Sequence, residues 1–142
     1  MRLPTRQEIN LFNSLDEQQA CRNFLGKSLD EAESLFRQNA LGYSDDLRWM
    51  GISAFRFYVI AYFQYLQSLE AEGDSDGVSC LVGVLEFRLE GEREGLLPIA
   101  KQVVEICRYI ISNYSRFDIL PDIYGDLRPR CEKLVQQLTS NP

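Results

Sequence analysis

The chain has 142 residues, which is enough for one domain with a self-sufficient hydrophobic core. Apolar residues make up 45% of the sequence and charged residues 25%, a globular balance that excludes collagen-like and low-complexity chains. The net charge of −6 argues against a nucleic-acid-binding protein, and the lack of histidine excludes Ser-His-Asp and Cys-His catalysis and most kinds of zinc site.

Three capping boxes mark helix starts in the first third of the chain, where a hydroxyl and a glutamate three residues later satisfy each other's backbone amides. The pairs are Thr5 with Glu8, Ser14 with Glu17, and Ser28 with Glu31. They predict helices over 6–13, 15–25 and 29–41. Gly26 and Gly42 stand where a glycine closes a helix, so each is predicted to end the helix before it.

The next segment is the most apolar of the chain. Ser44, Asp45 and Asp46 are predicted to open a short helical turn that ends at Gly51. A helix over 54–70 follows, with apolar residues on nearly all sides, as in a helix that neighbours surround. The residues predicted to share its inner face are Phe55, Tyr58, Val59, Tyr62, Leu66 and Leu69.

The second half of the chain is also predicted to be helical. Apolar residues over 78–89 follow the helical period rather than the alternation of a strand, between acidic turns at 70–77 and 91–95. A long helix is expected over 96–114, an irregular segment over 115–125, and a last amphipathic helix from Leu127 onward. The predicted fold is therefore all-α: a single-domain bundle (1–142) of about six to seven helices around the 54–70 helix.

Four cysteines lie far apart and lack the CxxC spacing of zinc ribbons and thioredoxin-like motifs. They are Cys21, Cys80, Cys107 and Cys131. Because each lies among apolar residues, we predict four buried, free thiols in a reducing cytoplasm. The N-terminal residues do not resemble a signal peptide, and the longest apolar run, 57–63, is too short to span a membrane. We therefore expect a cytoplasmic protein without membrane association.

Negative charge is concentrated in the middle of the chain, where residues 28–95 contain thirteen acidic and five basic side chains. Most of these acids form two groups. The first acidic cluster is Glu70, Glu72, Asp74 and Asp76, and the second acidic cluster is Glu86, Glu90, Glu92 and Glu94. Such a surface attracts a basic protein partner and accelerates its docking. The alternative is a hydrated surface that only keeps the protein in solution.

Other sites are weakly supported. The segment 72–77 has the oxygen-bearing residues and glycine of the first half of a calcium loop, but Gly83 occupies the position that needs a bidentate glutamate. No catalytic constellation and no phosphate-binding glycine loop is found, so no cofactor, metal or enzymatic activity is predicted. Trp49 is a further candidate for partner binding, because tryptophan is a frequent anchor of protein interfaces.

One aromatic block carries a family resemblance. Trp49 is followed by Ala54-Phe55-Arg56-Phe57-Tyr58-Val59-Ile60-Ala61-Tyr62. This block resembles the A-F-R-Y-Y-x-x-A-Y helix of small bacterial helical proteins, which are similar to immunity proteins of bacterial toxin systems. Phe57 replaces the first tyrosine, and a proline often found at the positions of Val59 or Ile60 is missing. The resemblance implies a bacterial, non-enzymatic protein that binds and neutralises a toxin.

Two further hypotheses remain open beside a protein-binding module of this kind. One is a small-molecule-binding or enzymatic helical domain that uses a cavity among the aromatic residues. The other is a subunit that completes an exposed apolar face by homo-oligomerisation.

Overall fold

The computed structural model describes residues 2–140 and confirms the all-α prediction. Within that range the regular elements are α helices and short 3-10 segments, with no strand. Six of these helices have ten or more residues and two have four. The contacts divide the chain into two compact units, residues 1–65 and 66–142, which we call unit 1 and unit 2.

Unit 1 contains four helices. The first three begin where the capping boxes predict, and the fourth begins at Ile52, two residues before the predicted start at 54. They are α1 (Arg6–Ile9), α2 (Leu15–Phe24), α3 (Leu29–Trp49) and α4 (Ile52–Leu66), the last of which ends at the unit boundary. The capping boxes before α1, α2 and α3 all form as predicted. Gly26 follows the end of α2 with a φ of +80°, as expected of a closing glycine.

The prediction that Gly42 ends the third helix is wrong, because α3 continues to Trp49 and includes Ser44, Asp45 and Asp46. The helix changes direction instead at Asn39, whose φ and ψ of −162° and 77° are not helical. Its side-chain Oδ1 accepts a hydrogen bond from the Gly42 N–H at 2.9 Å, so Asn39 caps a second helical stretch. A Cβ on Gly42 would lie 2.5 Å from the Asn39 amide nitrogen, which explains the glycine.

Aromatic rings form the core of unit 1. The rings of Phe36 and Tyr62 stack with centroids 4.5 Å apart, and those of Phe24 and Tyr58 lie 5.0 Å apart. The Tyr58 hydroxyl is 2.8 Å from the Phe24 carbonyl oxygen, which connects α4 to the end of α2. The predicted burial of α4 on nearly all sides is confirmed over 54–66. Leu69 is wrongly assigned to its inner face, because the helix ends at Leu66 and Leu69 is 86% exposed.

Unit 2 contains α5 (Ser75–Leu96), α6 (Ala100–Ser112), α7 (Pro121–Tyr124) and α8 (Arg128–Thr139). Short 3-10 segments lie at Leu69–Ala71, Leu97–Ile99 and Tyr114–Phe117. The choice of helix over strand at 78–89 is confirmed. The prediction that an acidic turn over 91–95 ends this helix is wrong, because α5 continues to Leu96. Within α5 the backbone dihedral angles depart from helical values at Glu92.

The core of unit 2 is aliphatic and includes two neighbouring thiols. Helices α6 and α8 pack together through apolar residues, among them Ile106, Ile110 and Leu134. The neighbouring thiol of Cys131 on α8, together with burial, raises the pKa of the Cys107 thiol on α6 above its usual range. All four cysteines are free, and three are buried as predicted, whereas Cys80 is half-buried.

The segment that opens unit 2 is held by one arginine. The Arg116 guanidinium donates hydrogen bonds to the carbonyl oxygens of Leu66 and Ser68, at 3.0 and 2.5 Å, and to the Tyr109 hydroxyl at 2.6 Å. Its own carbonyl oxygen accepts from the Gly73 N–H. Among residues 2–140, no helix combines the length and apolar character that a membrane span requires.

Candidate functional site

The most unusual surface of unit 1 is the connection between α1 and α2. The prediction of a helix over 6–13 is wrong: α1 ends at Ile9, and Asn13 adopts a left-handed conformation with φ of 59°. We call residues 10–15, which comprise this connection and the first residue of α2, the apolar loop, because three of the six side chains are large, apolar and exposed. These are Leu11 (54% exposed), Phe12 (85%) and Leu15 (82%).

The carboxylate of Glu17 holds the backbone of the apolar loop. It accepts hydrogen bonds from the N–H groups of Leu11 at 2.7 Å, Phe12 at 3.2 Å and Ser14 at 3.1 Å, and from the Ser14 hydroxyl at 2.8 Å. Glu17 itself is only 3% exposed. One buried side chain therefore satisfies most of the amide groups that the loop would otherwise leave unpaired.

The two asparagines of the apolar loop also hold its backbone. The Asn13 N–H donates to the Asn10 side-chain oxygen at 2.7 Å, and the Asn10 amide donates to the Asn13 side-chain oxygen at 3.1 Å. The Gln18 amide donates to the Asn13 carbonyl at 3.0 Å. Each backbone N–H from residue 10 to 14 has an acceptor, because the Asn10 N–H donates to Arg6. The loop is thus a fixed structure that presents its apolar side chains outward.

The charge state of Glu17 follows from this geometry. Burial alone raises the pKa of a carboxyl group, but the hydrogen bonds from Ser14, Leu11 and Phe12 outweigh burial and hold the pKa of Glu17 below its usual value. Glu17 is therefore ionised at neutral pH, and its charged oxygens are the acceptors of these hydrogen bonds.

Trp49, which the sequence proposes for partner binding, lies at the end of α3 and is 41% exposed. The junction that follows it contacts the base of the apolar loop. The Gly51 N–H donates to the Ile9 carbonyl oxygen at 3.0 Å, and a Cβ at Gly51 would lie 2.1 Å from the Glu8 carbonyl oxygen and 3.2 Å from Leu11. Only glycine allows this approach, so the Trp49 junction and the apolar loop are fixed to each other.

A second buried carboxylate of unit 1 behaves differently from Glu17. Asp46 is 5% exposed and accepts a hydrogen bond from the Asn23 side-chain amide at 2.7 Å. Burial raises the pKa of Asp46 to about 6, and the hydrogen bond from Asn23 only partly opposes this rise. The nearby Asp45 and Asp16 raise it further.

The first acidic cluster lies in the connection that leads into α5 and in its first turn, so the predicted acidic loop over 70–77 is confirmed as far as Asp74, and α5 begins at Ser75. Glu70 and Glu72 are exposed, whereas Asp74 caps α5 by accepting the Gly77 N–H at 2.9 Å. Asp76 accepts a hydrogen bond from the Tyr124 hydroxyl. Asp74 and Asp76 therefore have structural contacts within unit 2. Over residues 2–140, no group of three or more histidine, cysteine or acidic side chains is arranged to hold a metal ion.

The second acidic cluster lies on α5 itself, and half of it is paired with cations. Glu86 forms two hydrogen bonds with the Arg130 guanidinium, at 2.9 and 2.5 Å. Glu92 lies 3.5 Å from the buried guanidinium of Arg88. Glu90 and Glu94 are exposed. Several of the eight acids have capping or ion-pair contacts, so the eight do not form one uniform acidic surface. Six of them are exposed nonetheless: Glu70, Glu72, Asp76, Glu90, Glu92 and Glu94.

Sequence reasoning missed the apolar loop and the role of Glu17. The capping box of Ser14 and Glu17 is visible in the sequence, but the box does not show that the same carboxylate also binds the amides of Leu11 and Phe12. A usable signal is present nonetheless: Leu11, Phe12 and Leu15 flank the polar pair Asn13-Ser14, where a continuing helix would need a different pattern.

Comparisons with protein-family models, with curated proteins and with solved structures found no match to this chain.

Proposed function

We propose that the chain is a non-enzymatic protein-binding module and that the apolar loop is the centre of its interface. The observation that carries this proposal is the loop itself: a backbone fixed by a buried carboxylate, with Leu11, Phe12 and Leu15 turned toward solvent. Three large exposed apolar side chains within five residues of the chain are typical of a surface that a partner covers.

The energetics support the same conclusion. Burying a side chain of this size contributes about 1.5–3 kcal/mol, so the fold forgoes that stabilisation for Phe12 and again for Leu15. A flexible loop would let these side chains turn inward, but the hydrogen bonds to Glu17 prevent it. Their burial by a partner instead contributes to binding, and it costs little entropy because the loop is already ordered.

Two predicted features add detail to this proposal. Trp49 is exposed beside a junction that contacts the loop, which suits it as a further anchor. The exposed acids of unit 2 would steer a basic partner toward the protein. The resemblance of the aromatic block to immunity proteins suggests a specific version of the proposal, in which the partner is a toxin.

Site-specific photo-crosslinking in the source cell tests the interface. A photoreactive phenylalanine analogue replaces Phe12 in one variant and Leu120 in a control variant. Leu120 is also apolar and 56% exposed, but it lies in unit 2. We expect a crosslinked partner from position 12 and not from position 120. The identified partner is then purified for binding measurements.

Substitution of the anchors provides the quantitative test. Phe12→Ser and Leu15→Ser should each weaken binding of that partner at least about tenfold, as expected for interface anchors, while the circular dichroism and unfolding midpoint stay unchanged. Equal crosslinking from both positions, or full affinity in the double variant, would show that the apolar loop is not the interface.

A further inference from the structure

A groove between α5 and α8, within unit 2, is a separate feature that the proposed protein interface does not use. It encloses about 630 Å³, within the range of small-molecule sites. Leu89 and Leu134, both buried, form its apolar floor. Charged side chains from both helices line its walls: Glu86, Glu90 and Arg93 from α5, and Arg130 and Lys133 from α8.

Two contacts between the helices bound the groove along its length. At one end Glu86 binds the Arg130 guanidinium. At the other end the Arg93 guanidinium donates to the Gln137 carbonyl oxygen, at 2.9 Å through its terminal nitrogen. On each helix the second contact lies seven residues after the first. The two helices therefore run in the same direction, and the two contacts are about 10 Å apart.

This spacing selects the size of the occupant. A helix or an extended peptide laid along the groove would have to continue past Arg130 or Arg93, where the cross-helix contacts lie. A molecule of a few carbon atoms fits between them and can rest its apolar part on Leu89 and Leu134.

The charges select the chemistry of the occupant. Three of the five charged side chains that line the groove are engaged in the two end contacts. The other two are Glu90 on α5 and Lys133 on α8, one of each sign. Neither forms an ion pair with another of the residues 2–140. Within the same range the Arg93 charge is also uncompensated, because Gln137 offers it only a neutral carbonyl oxygen, but Arg93 lies at the end of the groove. Between the two end contacts the groove offers one anion and one cation above an apolar floor.

We propose that this groove binds a free apolar α-amino acid, with Glu90 contacting the ammonium group and Lys133 the carboxylate. The side chain of the amino acid lies on Leu89 and Leu134. A ligand with a single charge leaves either Glu90 or Lys133 without a counter-ion, whereas a zwitterion supplies a counter-ion to both. The charge-assisted hydrogen bonds give orientation, and the apolar contact gives selectivity over glycine.

Calorimetric titration of the full chain with L-leucine at neutral pH tests the proposal. We expect one site with a Kd below about 1 mM. Leucinamide, which lacks the carboxylate, and 4-methylpentanoic acid, which lacks the ammonium group, should each bind at least tenfold more weakly. Glycine should bind more weakly than leucine as well.

Variants assign the two contacts. Glu90→Gln and Lys133→Gln should each weaken leucine binding at least tenfold, while Glu94→Gln, an exposed acid on the same helix outside the groove, should leave it unchanged. All three substitutions are at exposed positions, so circular dichroism should show an intact fold.

Three results would overturn this assignment: no heat of binding with 10 mM leucine, equal binding of the singly charged analogues, or full binding by the Glu90→Gln/Lys133→Gln double variant.

Discussion

Units 1 and 2 differ in how they use aromatic residues and charge. Unit 1 contains eleven of the sixteen aromatic residues and has eight acidic and seven basic side chains, a net charge of −1. Unit 2 contains five aromatic residues and has thirteen acidic and eight basic side chains, a net charge of −5. Most of the net negative charge therefore lies in unit 2, whereas the apolar loop lies in unit 1.

Under the interface proposed above, overall composition is a poor guide to where this protein binds. The acidic character of the whole chain draws attention to unit 2, where several acids are used for capping and ion pairs. Unit 1 is almost neutral, yet it contains both buried carboxylates described above and the fixed apolar loop.

The largest effect is expected in the aromatic core of unit 1. Phe55→Ala removes a fully buried ring and should lower the free energy of unfolding by about 3–5 kcal/mol through the cavity it leaves. Leu69→Ala is the matched control, because the sequence pattern assigns Leu69 to the same face while the structure exposes it. It should change stability by less than about 0.5 kcal/mol. Similar urea midpoints for the two variants would contradict the described boundary of α4.

The next effect concerns Glu17. Glu17→Gln removes the charge and turns an amide group toward backbone N–H donors, so stability at pH 7 should fall by about 2–3 kcal/mol. The pKa of Glu17 is lowered in the folded protein, so its stabilisation is present at neutral pH and is lost as the pH falls through the folded pKa. The difference between wild type and variant should therefore shrink toward acid pH.

Denaturant unfolding across a pH series measures this difference. Glu31→Gln is the control, since Glu31 also completes a capping box but at an exposed position, and it should lose much less stability. A loss that does not depend on pH would mean that the charge of Glu17 does not organise the loop.

Removing the charge of Asp46 should change stability in the opposite direction from removing the charge of Glu17. The folded pKa of Asp46, about 6, lies above the ordinary value near 4, so ionisation destabilises the folded state as the pH rises through 6. Asp46→Asn should therefore stabilise the protein at pH 8, by about 1–2 kcal/mol, because the amide oxygen of the new side chain can still accept from Asn23. Thermal unfolding at pH 8 and pH 4 should show a gain that disappears at the lower pH. A loss of stability at pH 8 would contradict the raised pKa.

The smallest effect on stability is expected for the exposed acids of unit 2. Glu72→Lys and Glu94→Lys each reverse one charge in one acidic cluster and should change stability by no more than about 0.5 kcal/mol. With the crosslinked partner in hand, stopped-flow association at low salt should slow for the cluster that faces a basic partner, with little change in dissociation. An on-rate that ignores salt and both substitutions would show that these acids only keep the protein in solution.

Much of the helical fold is predictable because its signals are local. A capping box joins residues three positions apart, and an amphipathic period is visible within a few turns, so the starts of α1, α2 and α3 and the helical state of 78–89 follow from the sequence. Helix ends are less predictable. Glycine is typical of helix ends, but at Gly42 the helix continues because the Asn39 side chain caps a new helical stretch. Gly42 instead leaves room for the Asn39 side chain.

The sequence by itself determined the all-α class, the capped helix starts and the apolar character of α4, since each depends on neighbours along the chain. The tertiary structure alone decided that α1 ends at Ile9, that Glu17 fixes the apolar loop and that Glu86 is bound by Arg130. The loop depends on backbone amides of residues that the helical period had assigned to α1, and the ion pair joins positions 44 residues apart. Contacts of this kind are set by how helices pack, and the pattern of neighbouring residues does not contain that information.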